Sequence, residues 1–243
     1  MTSDTPTRRL RLTLFDLDHT LLPIDSDHAW GAFTVRIGWS DAAQFAQRND
    51  RFLAHYQAGT LDVHDYVRFA TEALRLRGPD AAAAAHAQFM REVIGPAILP
   101  QALALVRAHQ AAGDEVLIVT ATNEFVTRPI ARALGVGDAG LLAMQLARDA
   151  GGWYSGEIDG VPTLRAGKVR RMEQWLAERQ LAWEDVESRF YSDSMNDLPL
   201  LEKVDHPVAT NPEPRLRALA RERGWRILDL FGAPPAADAP PSS

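Results

Sequence analysis

The stretch Leu12-Thr13-Leu14-Phe15-Asp16-Leu17-Asp18-His19-Thr20-Leu21-Leu22 decides how this chain is read. An apolar run ends on two carboxylates that flank a single residue. In an extended chain alternate side chains share a face, and a strand turning into a loop can aim both acids at one pocket. Two like charges in one place are costly unless a cation or a proton-transfer task uses them. Downstream, Phe190-Tyr191-Ser192-Asp193-Ser194-Met195-Asn196-Asp197 repeats the arrangement after a second short apolar stretch. Between the two lie Thr120, closing Val116-Leu117-Ile118-Val119, and Lys168 in Ala166-Gly167-Lys168-Val169. Carboxylates, a hydroxyl and a lysine at separate strand tips describe a site for a metal and a phosphate.

Around these motifs, strand-like and helix-like segments alternate, which points to an α/β fold. Strands are expected over 11–17, 115–120, 188–192, 207–209 and 225–228, and helices over 101–112, 124–134, 167–179, 198–204 and 213–223. Asn123 and Gly135 are the cap and the stop of the second helix, and Pro129 predicts a start later than Glu124. Trp153 to Gly160 reads as a short glycine-turned hairpin. The stretch from Ser26 to Val93 has no strand pattern. Its apolar stripes (Trp30, Phe33, Ile37; Phe45, Phe52, Tyr56; Val63, Tyr66, Val67, Ala70, Leu74; Phe89, Met90, Val93, Ile94) predict four helices, broken at Gly38, at Gly59 with Thr60, and at Gly78-Pro79-Asp80. The expected organisation is a disordered N-terminus over 1–10, an α/β core over 11–22 and 97–231, a helical cap over 23–96, and a disordered Pro- and Ala-rich tail over 232–243.

The chain has 243 residues, 46% hydrophobic and 24% charged, as in ordinary globular proteins. A formal charge of −6 argues against general nucleic-acid or anionic-membrane binding. Zero cysteines exclude disulfides, thiolate metal sites and a cysteine nucleophile. Residues 1–9 lack the apolar core of a signal peptide, and no apolar run approaches the roughly 20 residues of a membrane span. The expectation is a cytoplasmic protein with a small-molecule partner.

The chemistry follows from the motifs. Asp16, at the carboxyl end of a strand where open α/β sheets bind ligands, is the expected nucleophile toward phosphorus. Mg²⁺, a hard cation that prefers oxygen, would be held by Asp16, Asp193 and the backbone carbonyl of Asp18. Lys168 supplies a fixed positive charge and Thr120 a hydroxyl donor. Asp18 protonates the leaving alkoxide and then accepts a proton from water. Asp197 anchors Lys168 or a metal-bound water, and Thr20 and Asn196 hold the loops. An Asp-X-Asp pair alone often just caps a turn; it is the four elements in this order that carry the reading.

That order resembles the haloacid dehalogenase superfamily of phosphohydrolases. The helical insert is similar to the cap of its phosphoserine-phosphatase-like branch, and Val119 to Asn123 with Tyr191 to Asp197 is similar to a bacterial histidinol-phosphatase-like group within it. The resemblance implies a doubly wound, mostly parallel Rossmann-like sheet with an inserted all-helical cap. It implies catalysis by Asp16 and Asp18, phosphate binding by Thr120, Ala121, Lys168 and Asn196, metal ligation by Asp16, Asp18 and Asp193, and support from Thr20 and Asp197. Asp18 favours phosphate over haloacid chemistry, because the dehalogenases of the family lack that acid. Ala121-Thr122 stands where phosphoserine phosphatases carry a glycine pair, and His19 where glycine or serine is common, which counts against phosphoserine.

Asp25 and Asp27 could attract a substrate amino group, although Asp25 or Ser26 could equally cap the first cap helix. Arg68 could pair with a substrate carboxylate, but an exposed helix arginine is the plainer reading. An amino group without a carboxylate fits histidinol phosphate. The alternatives are phosphoserine as substrate, a receiver-like phospho-signalling module, and a phosphatase-like scaffold.

Overall fold

The computed structural model of the protein describes residues 9–58 and 60–232. The first strand, β1 (Leu10–Phe15), is buried on both faces, with Leu12 and Leu14 in one apolar cluster and Phe15 in another. A strand so enclosed belongs in the middle of a sheet. Helices follow it: α1 (Ser26–Arg36), α2 (Ala42–Ala58), α3 (Val63–Ala70), α4 (Glu72–Phe89), a π-helical turn over Met90–Ile94 and α5 (Gly95–Ala97). The remainder alternates: α6 (Pro100–Ala111), β2 (Glu115–Asn123), α7 (Glu124–Ala133), β3 (Leu141–Met144), β4 (Leu146–Arg148), β5 (Tyr154–Ile158) and α8 (Ala166–Glu178). Then come β6 (Val186–Ser192), α9 (Leu198–Leu201), β7 (His206–Thr210), α10 (Pro214–Glu222) and β8 (Arg226–Leu228).

Six strands form a parallel sheet in the order β3-β2-β1-β6-β7-β8. Side chains of α6 and α7 (Val106, Val126, Ile130) pack with Phe15 on one face. Side chains of α8, α9 and α10 (Trp175, Leu200, Leu216) pack with Leu12 and Leu14 on the other. This is the doubly wound, Rossmann-like architecture. From β1 the chain builds outward to β2 and β3, then crosses to β6, β7 and β8, so the order reverses at β1. Open sheets bind ligands at the carboxyl ends of the strands beside such a reversal.

The inserted helices join the first of these clusters. Trp30 of α1 is fully buried against Phe33, His86, Phe89 and, from α7, Phe125, with ring centroids 5.3–5.6 Å apart. Among the described residues no single helix is long and apolar enough to cross a membrane.

The structure differs from the sequence expectations at defined points. Helix α7 begins at Glu124 despite Pro129, because the Asn123 side chain already caps it by accepting from Val126 N at 3.2 Å. The hairpin expected over Trp153 to Gly160 holds only β5; its partner is β4, and the turn lies over 149–153. The stripe from Val63 to Leu74 is split into two helices at Thr71, whose N and hydroxyl both donate to the Val67 carbonyl, at 3.0 and 2.7 Å. Within α4, Gly78 adopts φ 76°, outside helical geometry, and Pro79 follows it. Strand β2 runs on to Asn123, which pairs with Met144 of the unforeseen β3. Order begins before the expected residue 11: Leu10 pairs with Val186, and Arg9 reaches Asp205 at 3.1 Å. Residues 1–8, Gly59 and the tail beyond 232 lie outside the described residues.

Two outcomes follow from the aromatic seam. Trp30→Ala removes a large side chain where the surroundings cannot collapse, and urea melts should show a loss of about 3–5 kcal/mol. Burial holds the His86 imidazole below its ordinary value, while its Nε2 donates to the Val126 carbonyl at 3.1 Å. The unfolded chain therefore takes up this proton more readily, so the neutral ring's contribution is present above about pH 6.5 and lost as pH falls through the lower folded value. The melting temperature should fall between about pH 7 and about pH 5, and His86→Gln should flatten that fall.

Candidate active site

Asp16 follows β1 directly and extends its ladder by one bond, from its own N to the Tyr191 carbonyl at 2.9 Å. The chain then turns at once: Leu21 N and Leu22 N both donate to the Leu17 carbonyl, at 2.8 and 3.0 Å. His19 takes a left-handed φ of 56°, and its carbonyl accepts from Asn211 Nδ2 at 2.9 Å. This tight loop is what gives Asp16 and Asp18 separate surroundings.

Lys168 sits in the first turn of α8, buried at 3% exposure. A side chain at Gly167 would meet the Pro162 carbonyl oxygen at 1.8 Å, so only glycine lets this turn pass under the preceding loop. Lys168 Nζ donates to Asp16 Oδ1 at 2.8 Å and to Asp197 Oδ2 at 2.7 Å. Asp197 also accepts from the Ser192 hydroxyl at 2.7 Å. Burial opposes the lysine charge, but Asp16 and Asp197 outweigh it and hold the ammonium above its ordinary value. Burial pushes Asp197 up to about 6, with Lys168 pulling the other way.

Asp193 lies just past the end of β6 and accepts from Thr20 Oγ1 at 3.3 Å. Burial, then Asp16 and Asp197, push it up to about 9. Asp18 accepts from Ser26 N and from the Thr122 hydroxyl, each at 2.8 Å. Burial, then Asp25, drive it up to about 8, with Asp16 adding to the rise. Thr120 is buried, and its hydroxyl accepts from Thr122 N at 3.2 Å. Ala121, between the two threonines, is half-buried. Asp16, Asp18, Thr20, Thr120, Lys168, Asp193 and Asp197 are thus brought to the same edge of β2, β1 and β6.

The outer residues fare differently. Asn196 is turned toward Arg165, whose Nε donates to its Oδ1 at 3.0 Å. Asp25 caps α1 by accepting from His28 N at 2.9 Å. Asp27 accepts from the Tyr66 hydroxyl and from Asn123 Nδ2 at 3.3 Å, and burial with Asp25 pushes it up to about 6. Arg68 is not part of the site: its guanidinium is held by Asp65 at 2.6 Å and Glu157 at 2.9 Å on the surface.

Sequence reasoning missed four residues. Tyr56 belongs to a predicted apolar stripe, yet burial and then Asp197, with Asp16 and Asp193, raise its phenol to about 12. Arg165, at a left-handed φ of 53°, donates from Nη2 to the Tyr56 carbonyl at 3.3 Å and ties α2 to the core. Ser26 and Thr122 grip Asp18. Only Thr122 carried a readable signal, the i, i+2 spacing from Thr120 along one strand.

The donor set is all oxygen and strongly acidic: Lys168 bonds Asp16 and Asp197, its charge also reaches Asp193, and Asp16 in turn acts on Asp18. Burial first, and then the neighbouring acids, raise Asp193 and Asp18, and a hard divalent cation fits a buried set of oxygen donors with so many acids close together. Among the described residues no three His, Cys, Asp or Glu side chains form a ready-made metal cage. A cation here would draw further oxygens from the main chain, from water and from a ligand, as Mg²⁺ does.

Residues 13–202 match the haloacid dehalogenase-like hydrolase family. The chain belongs to it. This hydrolase is 41% identical over 90% of its length to a histidinol-phosphatase of Neisseria meningitidis, covering 98% of that protein. It is 31% identical over 89% of its length to a Mycobacterium tuberculosis protein named phosphoserine phosphatase SerB1, covering 70% of it. A crystal structure of a protein of unknown function from Bordetella pertussis is 49% identical to the hydrolase, with a TM-score of 0.86, covering 92% of this chain and all (100%) of that one. The hydrolase is a phosphatase of its family.

Lys168→Met tests the charge pattern. It leaves Asp16 and Asp197 buried without a counter-charge, and unfolding titrations should show a loss of about 3–5 kcal/mol. A loss below about 1 kcal/mol would mean that the two carboxylates find other partners.

Proposed function

We propose that the chain is a Mg²⁺-dependent phosphomonoesterase that works through an aspartyl-phosphate on Asp16, with histidinol phosphate as its ester. The observation that carries the reading is the buried Lys168, bonded to Asp16 at 2.8 Å and to Asp197 at 2.7 Å at the carboxyl ends of adjacent strands. A carboxylate fixed through one oxygen keeps the other for attack on phosphorus. Mg²⁺, held by Asp16, Asp193 and the Asp18 carbonyl, supplies when bound the positive charge that offsets the phosphate's. Lys168 adds a fixed charge to the same end. Thr120, whose hydroxyl oxygen accepts from the backbone, retains its own proton for a phosphoryl oxygen. Asp18 protonates the leaving alkoxide and later takes a proton from the attacking water.

The helices over 23–96 act as the cap that closes over the core of 11–22 and 97–231. Arg165, which also holds Asn196, bonds the Tyr56 carbonyl and so ties α2 to the core at the mouth of the site. Such a cover excludes bulk water from a reactive acyl-phosphate. Asp25, whose charge acts on both Asp18 and Asp27, would suit a leaving group bearing an amine. Arg68, the arginine offered for a substrate carboxylate, is engaged elsewhere. Both features favour an amino alcohol phosphate, in keeping with the name of the Neisseria relative. Phosphoserine is the second reading, supported by the name of the mycobacterial relative.

The test is phosphate release from histidinol phosphate, phosphoserine, glucose 6-phosphate and p-nitrophenyl phosphate. Histidinol phosphate should give the highest kcat/KM of the three alkyl esters. Chelation should abolish turnover and Mg²⁺ restore it, and Asp16→Asn should lower kcat by more than about 10³-fold. A preference for the sugar phosphate would overturn the amine argument, and full activity in Asp16→Asn would overturn the nucleophile.

A further inference from the structure

The geometry points to Thr122 as the positioning residue for proton transfer to the leaving group: its hydroxyl holds Asp18 so that Oδ2 carries the transferred proton. This rests on the phosphatase reading above and concerns a residue that reading does not use.

Asp18 is gripped at both oxygens. Ser26 N donates to Oδ1 and the Thr122 hydroxyl to Oδ2, each at 2.8 Å. The two partners are chemically unlike. An amide N–H only donates, so the oxygen facing it is kept as an acceptor. A threonine hydroxyl donates or accepts, so the oxygen facing it can hold a proton or release it without losing its partner. Oδ2 is therefore the oxygen suited to a group that must be an acid in one half-reaction and a base in the next.

The strand makes the arrangement specific. Thr120 and Thr122 lie two apart on β2 and are both buried. The backbone of Thr122 donates to the Thr120 hydroxyl at 3.2 Å, while its side chain donates to Asp18. One residue thus fixes the phosphate-facing hydroxyl through its main chain and the proton donor through its side chain. A substitution that keeps the main chain separates the two.

The step balances as follows. As the bond from Asp16 to phosphorus forms, the ester P–O bond breaks and its electron pair goes to the alkoxide oxygen. That oxygen takes the proton from Asp18 Oδ2, leaving Asp18 a carboxylate. In the second half, water attacks phosphorus and its proton passes to Asp18 as the bond to Asp16 breaks. A p-nitrophenolate leaves without protonation, and kcat/KM reports only as far as leaving-group departure, so the two ester types respond differently to a misplaced acid.

The experiment compares kcat/KM for p-nitrophenyl phosphate with that for whichever of histidinol phosphate, phosphoserine and glucose 6-phosphate the wild-type chain turns over best. Thr122→Val and Thr122→Ala should lower the alkyl-to-aryl ratio by about tenfold or more, and Thr122→Ser should return it to within about threefold of wild type. Melting curves of each variant separate this from loss of fold, which lowers both esters together and leaves the ratio unchanged. An unchanged ratio in soluble, folded Val and Ala variants, or a fallen ratio that serine fails to restore, would overturn the role of Thr122 alone. A wild-type chain that released phosphate from none of the four esters would overturn the phosphatase reading and this inference with it.

Discussion

The rest of the site depends on one buried ammonium. Lys168 lies between Asp16 and Asp197, bonded to both, with almost no access to water. A lysine so enclosed is tolerable only because two carboxylates repay its desolvation, and each acid is tolerable for the converse reason. The three come from β1, α8 and the loop after β6, so the ion triad also fixes how those segments meet. The remaining acids are held by other donors, Asp18 by Ser26 N and the Thr122 hydroxyl and Asp193 by the Thr20 hydroxyl. Their raised proton affinities follow from burial and from acids nearby that Lys168 alone does not balance.

The sheet explains why distant segments converge. Order reverses at β1, so the loops after β1 and β6 diverge to opposite faces and leave a crevice between them. Asp16 and Asp193 stand at the two lips, with Thr120 on the neighbouring β2. Below the crevice a polar brace ties the same strands: Asp114 bonds His109 Nδ1 at 2.6 Å and Thr13 at 3.0 Å, and His109 Nε2 meets the Tyr191 hydroxyl at 2.8 Å. Phe15 and Tyr191, the residue before Asp16 and the residue two before Asp193, stack at 4.7 Å. Backbone positions at the catalytic edge are thus set by packing beneath it.

The contacts between the helical insert and the core include an apolar seam and several polar ties, among them Arg68 to Glu157, His86 to the Val126 carbonyl and Arg165 to the Tyr56 carbonyl. The Trp30–Phe125 seam is apolar, with Trp30 fully buried and Phe125 partly so, which makes that side of the insert part of the main hydrophobic cluster. The contact at Tyr56 is a hydrogen bond from Arg165 to a carbonyl, half-buried and held by a strained backbone.

By itself the sequence determined the class of sheet and the strands β1, β2, β6, β7 and β8, and it singled out the acidic, hydroxyl and lysine residues that the fold brings together at the candidate site. These were legible because buried parallel strands are short continuous apolar runs and because polar residues at their ends break that pattern. Strands β3 and β4 were not legible: Leu141 to Arg148 holds no β-branched residue, and pairing with β2 and β5 alone makes it extended. The partners of Asp18, Asp27 and Tyr56 were decided by tertiary structure. Arg68 and Arg165 show why: each is an arginine near a plausible motif, but one is drawn to surface carboxylates and the other to the mouth of the site. A long side chain reports its role only through what the fold brings within its reach, and that is a property of distances between segments that sequence spacing does not contain.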